Sequence, residues 1–231
     1  IISYGVHAAI NHYFATPETD IPIEPRSFVL ADTGGNYYEG TTDITRTVVM
    51  GPVTEEQKMY FTAVLRGMLN LGAAKFRYGC TGVNLDYLAR GPLWELGQDF
   101  NHGTGHGVGY LLNVHEGPNS FRWRNVPGGN AVFEEGMITS DEPGYYVEDG
   151  YGIRHENMLV CKKAEKTSYG QFMCFEFLTM VPFDLDGIIP EQMTARERKL
   201  LNDYHAQVYK KISPYLENEE KKWLKEATRA I

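Results

Sequence analysis

Two spacings of apolar residues alternate along the chain. RSFVLADTG (26–34) is a short apolar run closed by a turn, and TDITRTVVMG (42–51) alternates through β-branched residues, so both predict strands. The linking GGNYYEG predicts a hairpin connection. Thr54 with Gln57 matches a capping box, and Phe61, Val64, Leu65, Met68 and Gly72 follow at helical spacing, which predicts a helix running to about residue 77. LDYLARGPLWELG (85–97) predicts another helix, interrupted at Pro92. PNSFRWRNVPGGN (118–130) predicts a turn-rich loop, whereas GMITSDEPGYY (136–146), YGIRHENMLVCKK (151–163) and FMCFEFLTMVP (172–182) predict strands with short links. Thr194 and Glu197 repeat the capping box ahead of an apolar stripe of Leu200, Leu201, Tyr204, Val208 and Ile212, and a charged helix is expected over about 215–229. Consecutive strands with short links imply antiparallel pairing with helices on one face, an α+β fold.

Composition narrows the class. With 231 residues, 42% of them hydrophobic, the chain can bury one sizeable core, and a single domain over 1–231 is expected. A net charge of -8 and a pI near 5.4 argue against nucleic acid or an anionic membrane as the main partner. Cys80, Cys161 and Cys174 are odd in number and unclustered, which suggests a reducing compartment and no thiolate zinc site. No run approaches the ~18 apolar residues of a membrane span. The opening IISYGVHAAINHY, without Met, suggests a piece of a longer protein.

The informative polar residues lie inside strand-like runs or beside glycines. Asp32 ends one apolar strand and Asp43 begins the next, so a hairpin can bring both carboxylates to neighbouring points of one sheet. Glu142 and Glu156 sit within strand-like runs, where a carboxylate is costly unless paired or bound to a cation. NHGTGHGVG (101–109) places His102 and His106 four apart among four glycines. It does not fit GxGxxG, lacks the lysine of a phosphate loop, and its glycines oppose the helix of HExxH zinc proteases. The glycines make better sense as backbone that lets both imidazoles project from a tight strand or turn. Four carboxylates and one imidazole suit two divalent ions held close together. Each of these residues taken alone is more often a turn former, an ion-pair partner or a surface group.

The ordered series ADTGGNYYEGTTDITRT, NHGTGHGVG, NVHEGP, TSDEPGYY and GIRHEN resembles the catalytic domain of the creatinase/prolidase/aminopeptidase P family, the pita-bread metallopeptidases, and within it the cytosolic type of Xaa-Pro aminopeptidase. The resemblance covers nearly the whole chain, including LTMVPFDLDGI and LLNDYHAQVYKKI near the end. It implies the pita-bread fold, a curved and mainly antiparallel sheet covered by helices on one face, in a C-terminal fragment whose upstream helices and N-terminal domains lie outside the sequence. By motif, Asp32, Asp43, His106, Glu142 and Glu156 would bind two divalent metals, with Asp43 and Glu156 bridging and Glu142 also shuttling a proton. His12, His102 and His115 match histidines of the family's substrate site, Arg154 matches an arginine that orients the first aspartate, and Tyr146, beside Tyr145, matches a site tyrosine. The implied activity is removal of an N-terminal residue from peptides with proline second, by a hydroxide bridging the two ions. Mn(II) suits the oxygen-rich ligand set best, with Zn(II) or Co(II) as alternatives. Cytoplasmic location, peptide substrates and a homodimer are further implications. Methionine aminopeptidase shares the five ligands but not the NVHEGP and NDYH segments, a prolidase acting on Xaa-Pro dipeptides is a closer alternative, and a non-catalytic binding module of the same fold is the third. His155 departs from the family, which usually has Ile or Leu there; alternation along a strand would turn it away from Arg154 and Glu156, so a packing or surface role is expected.

Overall fold

A computed structural model describes all 231 residues. Its first sheet joins β1 (Ile2–Tyr4), β2 (Phe28–Tyr37) and β3 (Gly40–Val49), all antiparallel. The β2–β3 hairpin is longer than its sequence suggests. Pairing continues from Phe28↔Val49 out to Tyr37↔Gly40, so most of GGNYYEG is strand and only Tyr38 and Glu39 turn. Glycine and polar residues hid this extension, because they weaken the strand signal without preventing a ladder that closes through backbone groups.

Helix α1 (Glu55–Gly72) starts at the expected capping box, with the Thr54 hydroxyl accepting from the Gln57 N–H. It stops at Gly72, short of residue 77, and the chain passes into β4 (Lys75–Arg77). Phe76 is thereby buried opposite Met173 at a sheet edge, which outweighs a further turn of helix. Two short helices follow, α2 (Gly82–Leu85) and α3 (Tyr87–Trp94). Pro92 lies inside α3 and does not interrupt it; the Gly91 carbonyl still accepts from the Glu95 N–H at 2.9 Å. The loop expected over 118–130 contains a buried two-residue strand. β5 (Gly105–His106) pairs with β6 (Ser120–Phe121), and Phe121 is completely buried.

Each of the next two predicted strands divides. Residues 136–146 give β7 (Ile138–Asp141) and the start of β8 (Gly144–Val147), and 151–163 give β9 (Tyr151–Arg154) and most of β10 (Asn157–Thr167). β8 pairs with β9, while β7 joins β10, β11 (Gly170–Phe177) and β4 in a sheet ordered β4-β11-β10-β7. The chain therefore crosses between sheets twice, at Glu142–Pro143 and at His155–Glu156. Every strand pair is antiparallel, as short links require. Helices α4 (Ala195–Ile212), opened by the Thr194–Glu197 capping box, and α5 (Asn218–Ala227) complete the chain.

Helix α1 carries the larger core. Its Phe61, Val64, Leu65 and Met68 pack with Phe28, Ile153, Phe183 and the α4 residues Leu201, Tyr204 and Val208. A second cluster joins Phe121, Phe133, Leu159 and Phe175 under β5 and β6. Truncating a ring such as Phe61 to alanine would cost about 3–5 kcal/mol, since transfer and cavity costs add. Both clusters lie behind the strands that carry the polar residues described next. No helix is long and apolar enough to cross a membrane.

Candidate metal centre and substrate cleft

Directly paired residues of antiparallel strands face the same side, and side chains alternate. Asp32 pairs with Thr45, and Asp43 pairs with Gly34 two positions away, so Asp32, Asp43 and Thr45 share one face of the hairpin. Glu142 and Glu156 are not within strands, contrary to the sequence reading. They occupy the two crossings between sheets, where the chain leaves one ladder and can turn a carboxylate into the space between. Backbone bonds fix both points: the Glu142 N–H donates to the Thr104 carbonyl at 2.7 Å and the Glu156 N–H to the Thr45 carbonyl at 3.1 Å.

The glycine stretch answers to close approach. None of Gly103, Gly105, Gly107 and Gly109 adopts a positive φ. A Cβ on Gly105 would lie 2.0 Å from the Ser140 carbonyl oxygen, and one on Gly107 would lie 2.1 Å from that of Glu116. Side chains are absent here because β7 and the 113–117 segment press against the backbone, which brings His106 up to the carboxylates. From the other side, fully buried Arg90 donates to the carbonyls of Phe100 at 2.7 Å and His102 at 2.8 Å. Asp86 accepts from the Thr104 hydroxyl at 2.6 Å.

At the centre, the His106 Nδ1–H faces the Gly107 carbonyl at 2.9 Å, which leaves Nε2 directed at Glu142 Oε1 (3.3 Å) and Asp43 Oδ2 (3.5 Å). Asp43, His106 and Glu156 each present a donor atom within 4.8 Å of the others. Glu156 is buried; its Oε2 accepts from the Thr45 hydroxyl at 2.7 Å, and its Oε1 has no hydrogen-bond partner. Burial, then the neighbouring Glu142 and Asp43, push the Glu156 carboxyl well above its usual range. Burial opposes charge on His106, but its contacts with Asp43 and Glu142 prevail and lift it to about 10. Glu142, despite burial, is lowered by His106. This is a cluster of carboxylates, one with a buried unpartnered oxygen: a donor set of oxygens and one imidazole nitrogen that fits divalent cations.

Asp32 joins through Arg154, whose Nη2 donates to Asp32 Oδ2 at 2.6 Å. The same guanidinium donates to the Tyr146 hydroxyl at 3.0 Å and the Thr45 hydroxyl at 3.2 Å. Three further histidines, His12, His102 and His115, line the same cleft. The His115 and His106 rings are 4.2 Å apart, and His12 and His115 are 6.2 Å apart. His102 faces the Tyr146 hydroxyl at 2.9 Å. Burial lowers the pKa of both His102 and His115, and the neighbouring His106 lowers His115 further.

A cavity of about 610 Å³ is lined by Asp32, Asp43, His106, Glu142 and Glu156, and also by His12, His102, His115 and Arg154. Tyr146 does not line it. Its phenol, pushed up to about 12 by burial, bonds both His102 and Arg154, two residues that do line it. Tyr145 stacks on Tyr60 in the core, which removes the ambiguity between the two. His155 is fully buried against the rings of Phe61 and Phe183, and burial holds it down to about 3. Packing, not surface exposure, accounts for it. Sequence reasoning missed Thr45, which bonds two site residues, and Arg122, which lines the cleft. A signal for Thr45 was present, since it shares the parity of Asp43 in TDITRT.

The comparisons agree with this arrangement. The model for metallopeptidase family M24 matches residues 1–163, and that for the C-terminal region of peptidase M24 matches 171–231. The chain is 43% identical over 241 residues to a probable Xaa-Pro aminopeptidase P from Arthroderma otae and 42% identical over 238 residues to aminopeptidase P1 from Arabidopsis thaliana. All of this chain is covered in both, but only 38% and 36% of those proteins, so it spans little more than a third of their length. Among solved structures, the X-prolyl aminopeptidase of Caenorhabditis elegans, described as a cytosolic enzyme with a di-nuclear active site, superposes with a TM-score of 0.93 at 38% identity. That match covers 100% of this chain and 38% of the other. The prolidase of Pyrococcus horikoshii gives 0.63 at 32% identity over 80% of this chain and 48% of its own.

Proposed function

The chain belongs to metallopeptidase family M24, and we propose that it is the catalytic part of an Xaa-Pro aminopeptidase that removes the first residue from peptides with proline second. The observation carrying this reading is one cavity that unites five metal-suited donors with three further histidines. A buried Glu156 with one unpartnered oxygen, in a group whose donors lie within 4.8 Å of those of His106 and Asp43, favours a bound cation over a non-catalytic binding module. The prolidase alternative gains less support, because the C. elegans enzyme matches 100% of this chain and the P. horikoshii prolidase 80%, and a C-terminal-region model matches 171–231.

Asp32, Asp43, His106, Glu142 and Glu156 would hold two divalent cations. Four carboxylates to one imidazole favour Mn(II), with Zn(II) or Co(II) as alternatives. Bound there, the two cations would supply Lewis acidity, lowering the pKa of water toward neutrality and polarising the scissile carbonyl. The chain's own residues supply the remaining steps. Glu142 accepts the proton of the attacking nucleophile and passes it to the proline nitrogen, which as a tertiary amide needs a proton to leave as an amine. His115, beside His106, donates a hydrogen bond to the developing oxyanion. Asp32, held by Arg154, faces the substrate's α-amine. His12 and His102 flank the proline ring, and the Tyr146 hydroxyl keeps His102 in place. The description of the C. elegans relative as cytosolic supports a cytoplasmic site of action.

The test is hydrolysis by the full-length protein of Ala-Pro-Ala, Ala-Ala-Ala and Ala-Pro under several metals. A rigid pyrrolidine loses less entropy than an alanine backbone and fills the histidine-lined end better, so Ala-Pro-Ala should be cleaved far faster than Ala-Ala-Ala. Equal rates on the two tripeptides would make it a general aminopeptidase, and activity on Ala-Pro alone would make it a prolidase.

A further inference from the structure

Arg46 is buried yet takes no part in the cleft. It follows Thr45 on β3, so strand alternation turns its side chain to the opposite face, between β3 and the segment that leads to α4. Its guanidinium is saturated there. Nη1 donates to the carbonyls of Thr45 (2.8 Å) and Glu156 (2.5 Å), and Nε donates to that of Pro182 (3.1 Å). Nη2 is shared among Asn157 Oδ1 (2.7 Å), the Val181 carbonyl (2.7 Å) and the Tyr204 hydroxyl (3.1 Å). The Phe183 ring covers its face at 3.9 Å. Every one of these acceptors is neutral. A buried cation with no carboxylate in its cage is a poor way to gain stability, and an apolar residue would fill the space at less cost. What arginine alone offers is a planar fork that fixes several oxygens at once.

The oxygens it fixes come from two parts of the chain. Thr45, Glu156 and Asn157 belong to the region matched over 1–163, whereas Val181, Pro182 and Tyr204 belong to the C-terminal region matched over 171–231. Tyr204 is itself anchored, its hydroxyl lying 2.8 Å from the Val181 carbonyl and 3.0 Å from that of Thr179. Glu156 is therefore clamped at its N–H by the Thr45 carbonyl, at its carbonyl by Arg46 and at Oε2 by the Thr45 hydroxyl, with Oε1 left over for the cleft. We infer that the C-terminal region positions Glu156 for metal through Arg46 and the Tyr204 hydroxyl, which makes these two residues positioning residues of the centre. The inference rests on the two-metal reading above. It gives the C-terminal region a role in a centre whose cleft none of its residues lines.

The experiment measures the Mn(II) affinity of the full-length protein by competition with a chromogenic chelator, together with the melting temperature of the metal-free form. Three variants are compared with the unaltered protein. Tyr204→Phe keeps the ring and removes the hydroxyl. Arg46→Lys keeps the charge and removes the fork. Leu201→Ala opens a cavity on the same helix and removes none of the groups that bond Arg46. Loss of an outer support should weaken metal binding about 10-fold for Tyr204→Phe and about 100-fold for Arg46→Lys. Leu201→Ala should lower the melting temperature at least as much as Tyr204→Phe while leaving affinity within about twofold, as expected of a change acting on stability alone. Tyr204→Phe with unaltered affinity would overturn the inference, as would Leu201→Ala weakening binding equally. Should Arg46→Lys fail to fold, Tyr204→Phe against Leu201→Ala still decides. An unaltered protein that holds no pair of ions would overturn the two-metal reading itself, and the inference with it.

Discussion

The floor and the rim of the cleft are built differently. The floor consists of Asp32, Asp43, His106, Glu142 and Glu156, each in a strand or at a crossing whose backbone bonds are accounted for. The rim consists of His12, His102 and His115, all outside strands and helices; His12 is exposed and sits at a φ of 57°, His115 is exposed too, and only His102 has its ring held by a side chain. Groups that must hold ions to within tenths of an ångström stand on ladders. Groups that must accommodate different peptides stand on segments that can shift. The difference teaches that losses at the floor should fall most heavily on turnover, whereas on the rim His12 should act through substrate binding alone and His115 should cost turnover less than the floor does.

The largest effect is expected at the floor. Glu142→Gln should cut kcat at least about 10³-fold, because proton transfer through this group is lost, while the melting temperature barely moves. Near-normal turnover would remove Glu142 from its assigned role. The floor's underside is next. His205, buried beneath Phe183 and accepting its N–H at 3.1 Å, is held down to about 4 by burial. Its folded pKa lies below the unfolded 6.5, so the unfolded chain binds the extra proton between those values. Stability is complete above pH 6.5 and should fall by up to about 3 kcal/mol as pH drops toward 4, with His155 adding in the same direction. Urea melts of the metal-free protein across this range check it; His205→Gln, which can still accept the bond, should flatten the slope.

The rim should respond less, and unevenly. His115→Ala should lower kcat by about 10²-fold through loss of an oxyanion donor. His12→Ala should instead raise KM for Ala-Pro-Ala roughly tenfold, since it contributes to ring packing alone. A kcat defect at His12 as deep as that at Glu142 would erase the distinction between floor and rim. The smallest effect is expected for His155→Ile, which lies one residue from a floor carboxylate but faces Phe61 and Phe183. Turnover should stay within a few-fold; a loss beyond about 100-fold, typical of a group that supports a metal ligand, would bring it into the site.

The floor was more legible in the sequence than its supports. Asp32 and Asp43 come to one face of the hairpin as expected, although they lie inside its strands and not at their ends, and His106 projects from the glycine stretch. The capping boxes at Thr54 and Thr194 could be read directly, because a cap is a local contract between residues three apart. Glu142 and Glu156 were recognised by motif but placed inside strands. A continuous apolar run carries no mark of the point where it changes sheet, and Pro143 is the only local hint. The strand at Ser120–Phe121 was invisible because two residues give no period, and its partner is set by tertiary packing against Phe133 and Phe175. Arg46 was passed over for a related reason. In TDITRT its charge reads as a solvated strand face, and only the fold reveals that the C-terminal region covers that face.

The central claim, that five side chains on this floor share two ions, is tested most directly by a crystal structure of the Mn(II)-loaded full-length protein with anomalous scattering recorded for the metal. Two peaks ~3.5–4 Å apart, touched by Asp32, Asp43, His106, Glu142 and Glu156, are the expected result. A single peak elsewhere, or these side chains more than ~10 Å apart around the metal, would contradict it, because no shared centre could then form.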